Sequence, residues 1–214
     1  MKKPQIILIG GGGHCKACID VIEQENKFQI VGILDLPDKL GENILGYKVI
    51  GNDDDIAKYA NEGFNFLLTI GHMGNPSLRK KLFELVIENR GILPVVISPN
   101  AYVSKYAEIK QGTIIMHNAI VNAGSDIGQN CIINNKALVE HDCIINDQTH
   151  ISTNAIINGE VKVGKNCFIG SNSVIRNNVS ISFNTIIGAG AVVVNDIIEG
   201  GVYVGSPAKK LKNA

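Results

Sequence analysis

The sequence predicts two parts: an α/β domain with a parallel sheet, followed by a parallel β-helix. Two observations carry this prediction. Strands alternate with helices over residues 5–97, and from Ile97 onward aliphatic residues recur every six positions. The composition agrees, because the 214 residues include 33 Ile and 18 Val but only 6 Phe, 5 Tyr and no Trp. The 23 Gly and 23 Asn indicate frequent turns and argue against an all-helical bundle.

The first part reads as a small parallel sheet covered on both faces. We expect strands at residues 5–9, 28–34, 64–70 and 92–97. We expect helices at residues 14–25, where apolar residues share one face, at 53–60, where three aspartates open the helix, and at 77–89. The segment between Asp35 and Asp53 reads as turn-rich. This part is a Rossmann-like domain, with predicted bounds 1–96.

The second part, residues 97–214, is defined by its period of six. Sixteen consecutive hexad positions from Ile97 to Ile187 are Ile or Val, where roughly four would be expected by chance. Four residues into each hexad the side chain is small or β-branched, and three of the five cysteines fall there, which favours inward packing. Three hexads make one coil, so the repeat gives about five coils and a length of about 25 Å. The α/β domain and the segment after Val193 are expected to cap the ends.

Charge and hydropathy exclude several classes of protein. Twenty basic residues balance twenty acidic ones, which gives no electrostatic reason to expect nucleic acid or an anionic membrane as a partner. No apolar run approaches the 18 or so residues that span a bilayer. An odd number of scattered cysteines does not suggest a disulfide framework. We therefore expect a cytoplasmic protein.

The hexads and the ending Gly205-Ser206-Pro207-Ala208-Lys209 resemble the hexapeptide-repeat acyltransferases. With Gly10 to His14 after the first strand and Val139-Glu140-His141-Asp142 in the repeats, nearly the whole chain is similar to bacterial sugar acetyltransferases related to PglD and NeuD. The resemblance implies a left-handed coil, whereas the general crossover rule would favour a right-handed one. It also implies acetyl-CoA as co-substrate, no metal, and a homotrimer with active sites between subunits.

His141 is the candidate general base. It lies outside the inward columns, and its neighbours one coil away are Ala123 and Gly159, which leave room for a ligand. A histidine pKa near neutral suits proton transfer from an amine that attacks a thioester. By resemblance Asp142 holds the base, although the family has Glu there, and Gly159 is our candidate for the backbone N–H that binds the oxyanion. The alternatives are a solvated surface histidine and an ordinary corner carboxylate.

His150 is the one histidine in a hexad column that is otherwise mostly aliphatic. By resemblance it contacts acetyl-CoA together with Ser171 and Ala189, which lie 18 residues apart and so stack on one face. The alternative is a core histidine that is hydrogen-bonded internally. His117 shares the column of Ser171 and Ala189.

The Gly10–His14 loop lies between a strand and a helix, where bare N–H groups can bind phosphate. It lacks the third glycine of a dinucleotide fingerprint, so a nucleotide-sugar diphosphate is the better hypothesis. The resemblance assigns Gly12, Gly13, His14 and Asp35 to that substrate. The family often has a second acid where this chain has Leu36, and a Gly-rich turn that serves only the fold remains the alternative.

Three features stay open. Cys15 and Cys18 spell a C-x-x-C motif without a second cysteine pair, and His72 follows a strand end, where it is a sugar-site residue or a plain loop histidine. A zinc carbonic anhydrase would need three converging histidines, whereas His117, His141 and His150 fall on three different faces of one chain.

The leading hypothesis for function is N-acetylation of the 4-amino group of a UDP-linked 4-amino-4,6-dideoxy sugar. This is the reaction type of UDP-N,N′-diacetylbacillosamine synthesis for surface glycans. The alternatives are O-acetylation of sialic acid, N-acetylation of a GDP-linked amino sugar and, more distantly, a β-helix scaffold without enzyme activity.

Overall fold

The computed structural model describes residues 3–212, and its first part is a five-stranded sheet. The strands are β1 (Gln5–Ile9), β2 (Gln29–Leu34), β3 (Asn43–Ile44), β4 (Tyr47–Gly51) and β5 (Asn65–Leu68). Their order is β3-β4-β2-β1-β5, all parallel except β3 against β4. The helices are α1 (Gly13–Glu25), α2 (Ile56–Asn61) and α3 (Ser77–Glu88), with short 3-10 turns at Pro37–Lys39 and Asp53–Asp55.

Two expectations for this sheet are corrected. The segment between Asp35 and Asp53 contains the β3–β4 hairpin, whose turn residues Leu45 and Gly46 both have positive φ. The last expected strand, 92–97, is divided. Ile92 makes only an isolated bridge to Asn65, and the next strand, β6 (Val96–Ile97), pairs with the β-helix. Pro94 lies between them and has no N–H to donate to a ladder.

The second part is a parallel β-helix built from strands of two or three residues. In chain order they are β6, β7 (Tyr102–Val103), β8 (Glu108–Ile109), β9 (Ile114–Ile115), β10 (Ile120–Val121), β11 (Asp126–Ile127), β12 (Ile132–Ile133), β13 (Leu138–Val139), β14 (Ile144–Ile145), β15 (His150–Ile151), β16 (Ile156–Ile157), β17 (Lys162–Val163), β18 (Phe168–Ile169), β19 (Val174–Ile175), β20 (Ser180–Ile181), β21 (Thr185–Ile187) and β22 (Val192–Val193). An antiparallel pair, β23 (Gly201–Val204) and β24 (Lys209–Lys212), extends one sheet at the C-terminal end.

The β-helix has three faces, each a sheet that takes every third strand. We name them by what lies outside. The docking face contains β6, β9, β12, β15, β18 and β21. The apolar face contains β7, β10, β13, β16, β19 and β22. The polar face contains β8, β11, β14, β17 and β20.

The hexad periodicity explains both the core and the turns. The Ile and Val column and the small column point inward and form one buried cluster along the β-helix. At each corner one residue has positive φ, at intervals of six from Gly112 to Gly190, and seven of these fourteen are Asn. Asn tolerates the left-handed conformation better than most residues, which accounts for the high Asn content.

Helix α1 lies between the sheet and the β-helix. Its buried residues, which include Cys18 and Ile22, pack on Ile6 and Leu8 on one side and on Ile114 and Ile132 of the docking face on the other. The opposite side of the sheet is covered by α2 and α3. The end of β1, which carries the Gly-rich loop, is therefore held against the docking face.

No helix among the described residues combines the length and the apolar character that crossing a membrane requires.

Candidate functional site

His141 and Asp142 form an exposed pair at a corner of the β-helix. The corner joins β13 on the apolar face to β14 on the polar face. His141 Nδ1 and Asp142 Oδ2 are 2.8 Å apart. Asp142 has φ of 58°, the left-handed corner conformation, which turns its carboxylate back toward the preceding residue. The side chains are 54% and 63% exposed, so the imidazole Nε2 is accessible to a ligand.

Two glycines in adjacent coils make room for this pair. A Cβ on Gly159 would lie 2.6 Å from His141 Nε2, and a Cβ on Gly124 would overlap the Asp142 carboxylate. The imidazole therefore lies directly over Gly159, and any larger residue there would displace it. The Gly159 N–H makes no hydrogen bond within the described part of the chain.

Electrostatics favour a proton on His141. The hydrogen bond that His141 donates to Asp142 is the main cause that raises the pKa of His141, and the nearby charges of Asp142, Glu140 and Glu160 act in the same direction. Desolvation acts against this shift but does not cancel it, so the pKa of His141 is raised. Because Asp142 accepts from Nδ1–H, Nε2 is the atom left to take a proton.

Ser171 and Ala189 lie on a different corner. They follow β18 and β21 and precede β19 and β22, so they line the edge between the docking and apolar faces. Ser171 Oγ is 2.9 Å from Ser152 Oγ, and Ala189 is exposed. His141 lies at the other edge of the apolar face. Within one chain the predicted base and the predicted cofactor column are thus separated by the width of a face.

His150 lies on the docking face with its side chain turned toward the α/β domain. The residue is 7% exposed, Nδ1 is 2.9 Å from the His72 carbonyl oxygen, and Nε2 is 3.1 Å from Asn134 Nδ2. Burial lowers the pKa of His150 to about 4. This geometry favours the alternative of a core histidine that is hydrogen-bonded internally. The contact between the ring and acetyl-CoA stays a prediction.

The Gly-rich loop leads into an open helix N-terminus. Gly12 is the N-cap of α1, with no side-chain cap and no acidic residue in the first turn. Gly12 and Gly13 are exposed, and a Cβ at either would meet nothing within 4 Å. The fold itself therefore does not require glycine there. Free N–H groups at a helix N-terminus form an anion site, and glycine allows a ligand to approach them closely.

The Asp35 carboxylate is hydrogen-bonded to the Gly-rich loop. Its carboxylate accepts from the Gly11 N–H at 2.7 Å, from the Leu36 N–H at 2.7 Å and from Lys39 Nζ at 3.2 Å. Burial alone would raise the pKa of Asp35, but these hydrogen bonds outweigh it and lower the pKa. Beside Asp35 is a cleft of about 230 Å³, which is lined by Ile9, Gly10, Gly11, Gly12, Leu34, Asp35, Leu36, Lys39, Asp53, Ile70, Leu78 and Leu82.

His14 and His72 belong to a buried cluster with His150 and Arg79. Burial is the main cause that lowers the pKa of both His14 and His72 to about 3, and the charge of Arg79 adds to it. Arg79 is 1% exposed and donates to the carbonyls of Leu68, Ile70 and Asn130, which joins the end of β5 to the β-helix. Sequence reasoning missed Arg79. The sequence pattern that identifies it is a basic residue on the apolar face of α3, the face that also carries Leu82, Phe83 and Val86.

His117 and the cysteines have structural partners. His117 Nδ1 is 2.7 Å from Ser98 Oγ, and its Nε2 is 2.9 Å from Asp20 Oδ2 on α1. Cys15 and Cys18 are free and buried, and burial raises the pKa of both thiols. Within residues 3–212 no group of three or more His, Cys, Asp or Glu side chains is placed to hold a metal ion.

Comparisons with known proteins agree over both parts of the chain. The family model of the PglD N-terminal domain matches residues 5–86, and the model of the bacterial transferase hexapeptide, six repeats, matches residues 142–177. No curated protein sequence matches. The parallel-sheet domain that the sequence predicts and the left-handed β-helix that the resemblance implies are confirmed by similarity to solved structures.

Three of these structures cover almost the whole chain. The acetyltransferase domain of PglB from Neisseria gonorrhoeae is 32% identical with a TM-score of 0.91, over 98% of this chain and 100% of that one. It has also been solved in complex with acetyl coenzyme A. A perosamine N-acetyltransferase from Caulobacter crescentus, in complex with CoA and GDP-perosamine, is 31% identical with a TM-score of 0.90, over 96% of each chain. WeeI from Acinetobacter baumannii is 25% identical with a TM-score of 0.86, over 98% of this chain and 100% of that one.

Proposed function

Because the chain belongs to the hexapeptide-repeat sugar acetyltransferases with a PglD-type N-terminal domain, we propose that it N-acetylates a nucleotide-linked amino sugar. It is an acetyl-CoA-dependent acetyltransferase. The substrate that we propose is a UDP-linked 4-amino-4,6-dideoxy sugar, in a pathway of the UDP-N,N′-diacetylbacillosamine type. The observation that carries the proposal is the His141–Asp142 pair, exposed over Gly159.

In the proposed reaction the sugar amine attacks the thioester carbonyl directly. His141 Nε2 takes the proton that the amine loses as the C–N bond forms, and returns it to the CoA sulfur as the C–S bond breaks. Asp142 keeps Nδ1 protonated and stabilises the imidazolium that forms. In this proposal the Gly159 N–H, which makes no hydrogen bond within the described part of the chain, donates to the developing oxyanion.

The Gly-rich loop is the proposed site of the nucleotide diphosphate. The N–H groups of Gly12, Gly13 and His14 at the start of α1 supply donors for phosphate oxygens. The mainly apolar cleft beside Asp35 is suited to the nucleoside. In this proposal the sugar extends toward the docking face past His14 and Gly71 of the α/β domain, which lie side by side.

A second copy of the chain is needed to complete this site. The outward side chains of the apolar face, one tyrosine and five aliphatic residues, form an uncovered apolar stripe, whereas the docking face is covered by the α/β domain and the polar face is mostly charged or polar. The stripe consists of Tyr102, Ile120, Leu138, Ile156, Val174 and Val192. Burying the stripe against a neighbour would bring the His141 edge of one copy to the Ser171 edge of the next. This arrangement supports the homotrimer that the resemblance implies, with active sites between subunits.

A GDP-linked amino sugar is the second candidate substrate. Leu36 stands where the family often has a second acid, and one similar structure binds GDP-perosamine. Side-by-side assays with UDP, GDP and CMP sugars separate these candidates from sialic acid O-acetylation. The cytoplasmic localisation stays a prediction.

The test is the variant His141→Ala. We expect kcat to fall by about 10²- to 10⁴-fold, the range that a general base contributes. Because the side chain is exposed, the oligomer and the affinity for CoA should be unchanged. Retention of the wild-type kcat would refute the assignment of His141 as the base.

A further inference from the structure

The cleft beside Asp35 lies where four parallel strands of the α/β domain end. Its lining residues lie at or after the ends of β1, β2, β4 and β5, which is the edge of an open α/β sheet where ligands bind. Most of the lining is aliphatic or glycine, and Leu78 and Leu82 of α3 belong to it. Among the lining residues, Asp35, Lys39 and Asp53 carry charge. These three side chains therefore decide which polar atoms a ligand can present in this cleft.

Asp35 fixes the position of the Lys39 ammonium. Lys39 Nζ donates to Asp35 Oδ2 at 3.2 Å, and the Lys39 side chain is 36% exposed. An ammonium group has three N–H donors, so two remain for a ligand. Lys39 thus supplies a held donor at one side of the cleft.

Asp53 differs from the two aspartates that follow it. Asp55 Oδ2 accepts from the Asn52 N–H at 3.0 Å, and Asp54 is exposed and outside the cleft. Asp53 is half-buried and lines the cleft, and within residues 3–212 its carboxylate has no hydrogen-bond or ion-pair partner. Burial is the main cause that raises the pKa of Asp53. The helix dipole explains acids at this end of α2, but not an unpaired one beside an apolar cleft.

An acceptor and a donor in one cleft match one kind of nucleobase edge. Uracil and guanine each present a ring N–H next to a carbonyl oxygen, N3–H with O4 in uracil and N1–H with O6 in guanine. Cytosine and adenine present the reverse, a ring nitrogen that only accepts next to an amino group that donates. A carboxylate only accepts and an ammonium only donates. The charged pair of the cleft therefore fits the first kind of edge and opposes the second.

We propose that Asp53 and Lys39 recognise the base of the nucleotide sugar. Asp53 accepts from the ring N–H of uracil or guanine, and Lys39, held by Asp35, donates to the neighbouring carbonyl oxygen. Leu36 stands where the family often has a second acid, and Asp53 supplies an acid from the end of the adjacent strand, β4. This inference rests on the proposed function, since the cleft is its nucleoside site. It favours UDP- and GDP-linked sugars over CMP-linked ones.

Calorimetry with UDP, GDP, CDP and ADP tests the recognition directly. Each class of base edge is represented by one pyrimidine and one purine with the same diphosphate, so size and charge do not separate the classes. We expect the wild-type protein to bind UDP and GDP at least about tenfold more tightly than CDP and ADP, the cost of one lost hydrogen bond to a charged group. The ratio of the Kd values for UDP and GDP then shows which of the two bases is preferred.

Asp53→Asn should remove this preference. The Asn amide can donate or accept, so the difference between the two classes should fall to within about threefold. Asp54→Asn is the matched control, because it removes the same charge from the same 3-10 turn but outside the cleft, and it should keep the wild-type preference. If Asp53→Asn does not fold, Asp53→Ser makes the same test, since a hydroxyl also both donates and accepts.

Several results would overturn the proposal. They are equal affinity of the wild-type protein for all four nucleotides, binding of none of them, and an unchanged preference in Asp53→Asn. If Asp53→Asn and Asp54→Asn change all four affinities alike, Asp53 acts through the charge of the turn and recognises no base. The measurement needs no acetyl transfer, so the two proposals fail separately. A protein that acetylates nucleotide sugars but binds the four diphosphates equally refutes only the role of Asp53, and one that prefers UDP and GDP but acetylates no sugar refutes only the proposed function.

Discussion

The imidazole of His141 depends on two small features of its surroundings. The Asp142 carboxylate binds Nδ1, and the bare backbone of Gly159 leaves space below Nε2. Asp142 occupies a corner position that requires positive φ, which Asp adopts more readily than most residues. Asp142 thus both adopts the positive φ of the corner and orients the base. Its presence in the sequence alone does not show which of these two roles it has.

Removing the Asp142 charge should change the pH profile of the enzyme. The base must be neutral to take a proton, so the acidic limb of kcat/KM follows the pKa of His141, which Asp142 raises. Asp142→Asn lowers that pKa, and we expect the acidic limb to move to lower pH with a reduced kcat. Glu160→Gln, which removes a more distant charge, should move the limb less in the same direction. A limb that stays in place in Asp142→Asn would contradict the assigned pair.

At the scale of elements, the N-terminus of α1 and the buried histidines beside it are the features of the α/β domain that bear on substrate binding and on stability in acid. Gly10 has φ of 99° and lies against Ile70, so the fold requires a glycine there. Gly13 faces open space with an ordinary helical backbone. The two glycines therefore serve different purposes within one loop.

Gly13→Ala should separate ligand binding from folding. The added methyl group meets no protein atom, and Ala favours a helix over Gly by roughly 0.5–1 kcal/mol, so Tm should be unchanged or slightly higher. The same methyl group would block the approach of a diphosphate to the helix N-terminus, and we expect KM for the nucleotide sugar to rise about tenfold or more. Gly10→Ala is the control, with a lowered Tm. An unchanged KM in Gly13→Ala would place the diphosphate elsewhere.

The buried histidines should make the protein sensitive to acid. Burial holds the pKa of His14 and His72 at about 3 and that of His150 at about 4, against about 6.5 in an unfolded chain. Below about pH 6.5 the unfolded state binds more protons, so stability falls by up to about 1.4 kcal/mol per pH unit for each histidine. We expect Tm to drop between pH 7 and pH 5, and less steeply in His72→Asn. A Tm that does not change over this range would contradict the buried neutral state.

Periodicity and turn residues were enough to predict most elements, but not how they pack. The hexad pattern predicts which residues of the β-helix face inward, because that pattern depends only on the geometry of the coil. The β3–β4 hairpin was missed because β3 has only two residues and Val49 is the only buried side chain of β4, and the 92–97 segment because its two ends join different sheets. The contacts of His150 with His72 and of Arg79 with Asn130 depend on how the loop of residues 71–76 and α3 meet the β-helix. No local pattern reports such contacts.

At the scale of the whole molecule, the three faces of the β-helix have three different partners. The docking face packs on the α/β domain, and the polar face is exposed to solvent. In our proposal the apolar face packs against a second copy of the chain. The site residues divide accordingly, with His141 at one edge of the apolar face and Ser171 and Ala189 at the other. Assembly and activity should therefore be lost together.

A matched pair of isoleucines tests this assembly. Ile120 on the apolar face and Ile144 on the polar face are 38% and 39% exposed. Ile120→Lys places a charge in the proposed interface, and we expect smaller species in light scattering together with loss of acetyl transfer. Ile144→Lys should leave both unchanged. If the two variants keep the same mass and the same activity, the apolar face is not the interface.

The central claim is acetyl transfer to the amine of a nucleotide-linked sugar. Mass spectrometry and NMR of the product formed from acetyl-CoA and a UDP-linked 4-amino-4,6-dideoxy sugar test it most directly. We expect one acetyl group on the 4-nitrogen, released CoA thiol, and product formed at least about 100-fold more slowly with His141→Ala. Absence of an acetylated amine from UDP and GDP sugars alike, or an acetyl group found on a hydroxyl, would contradict it.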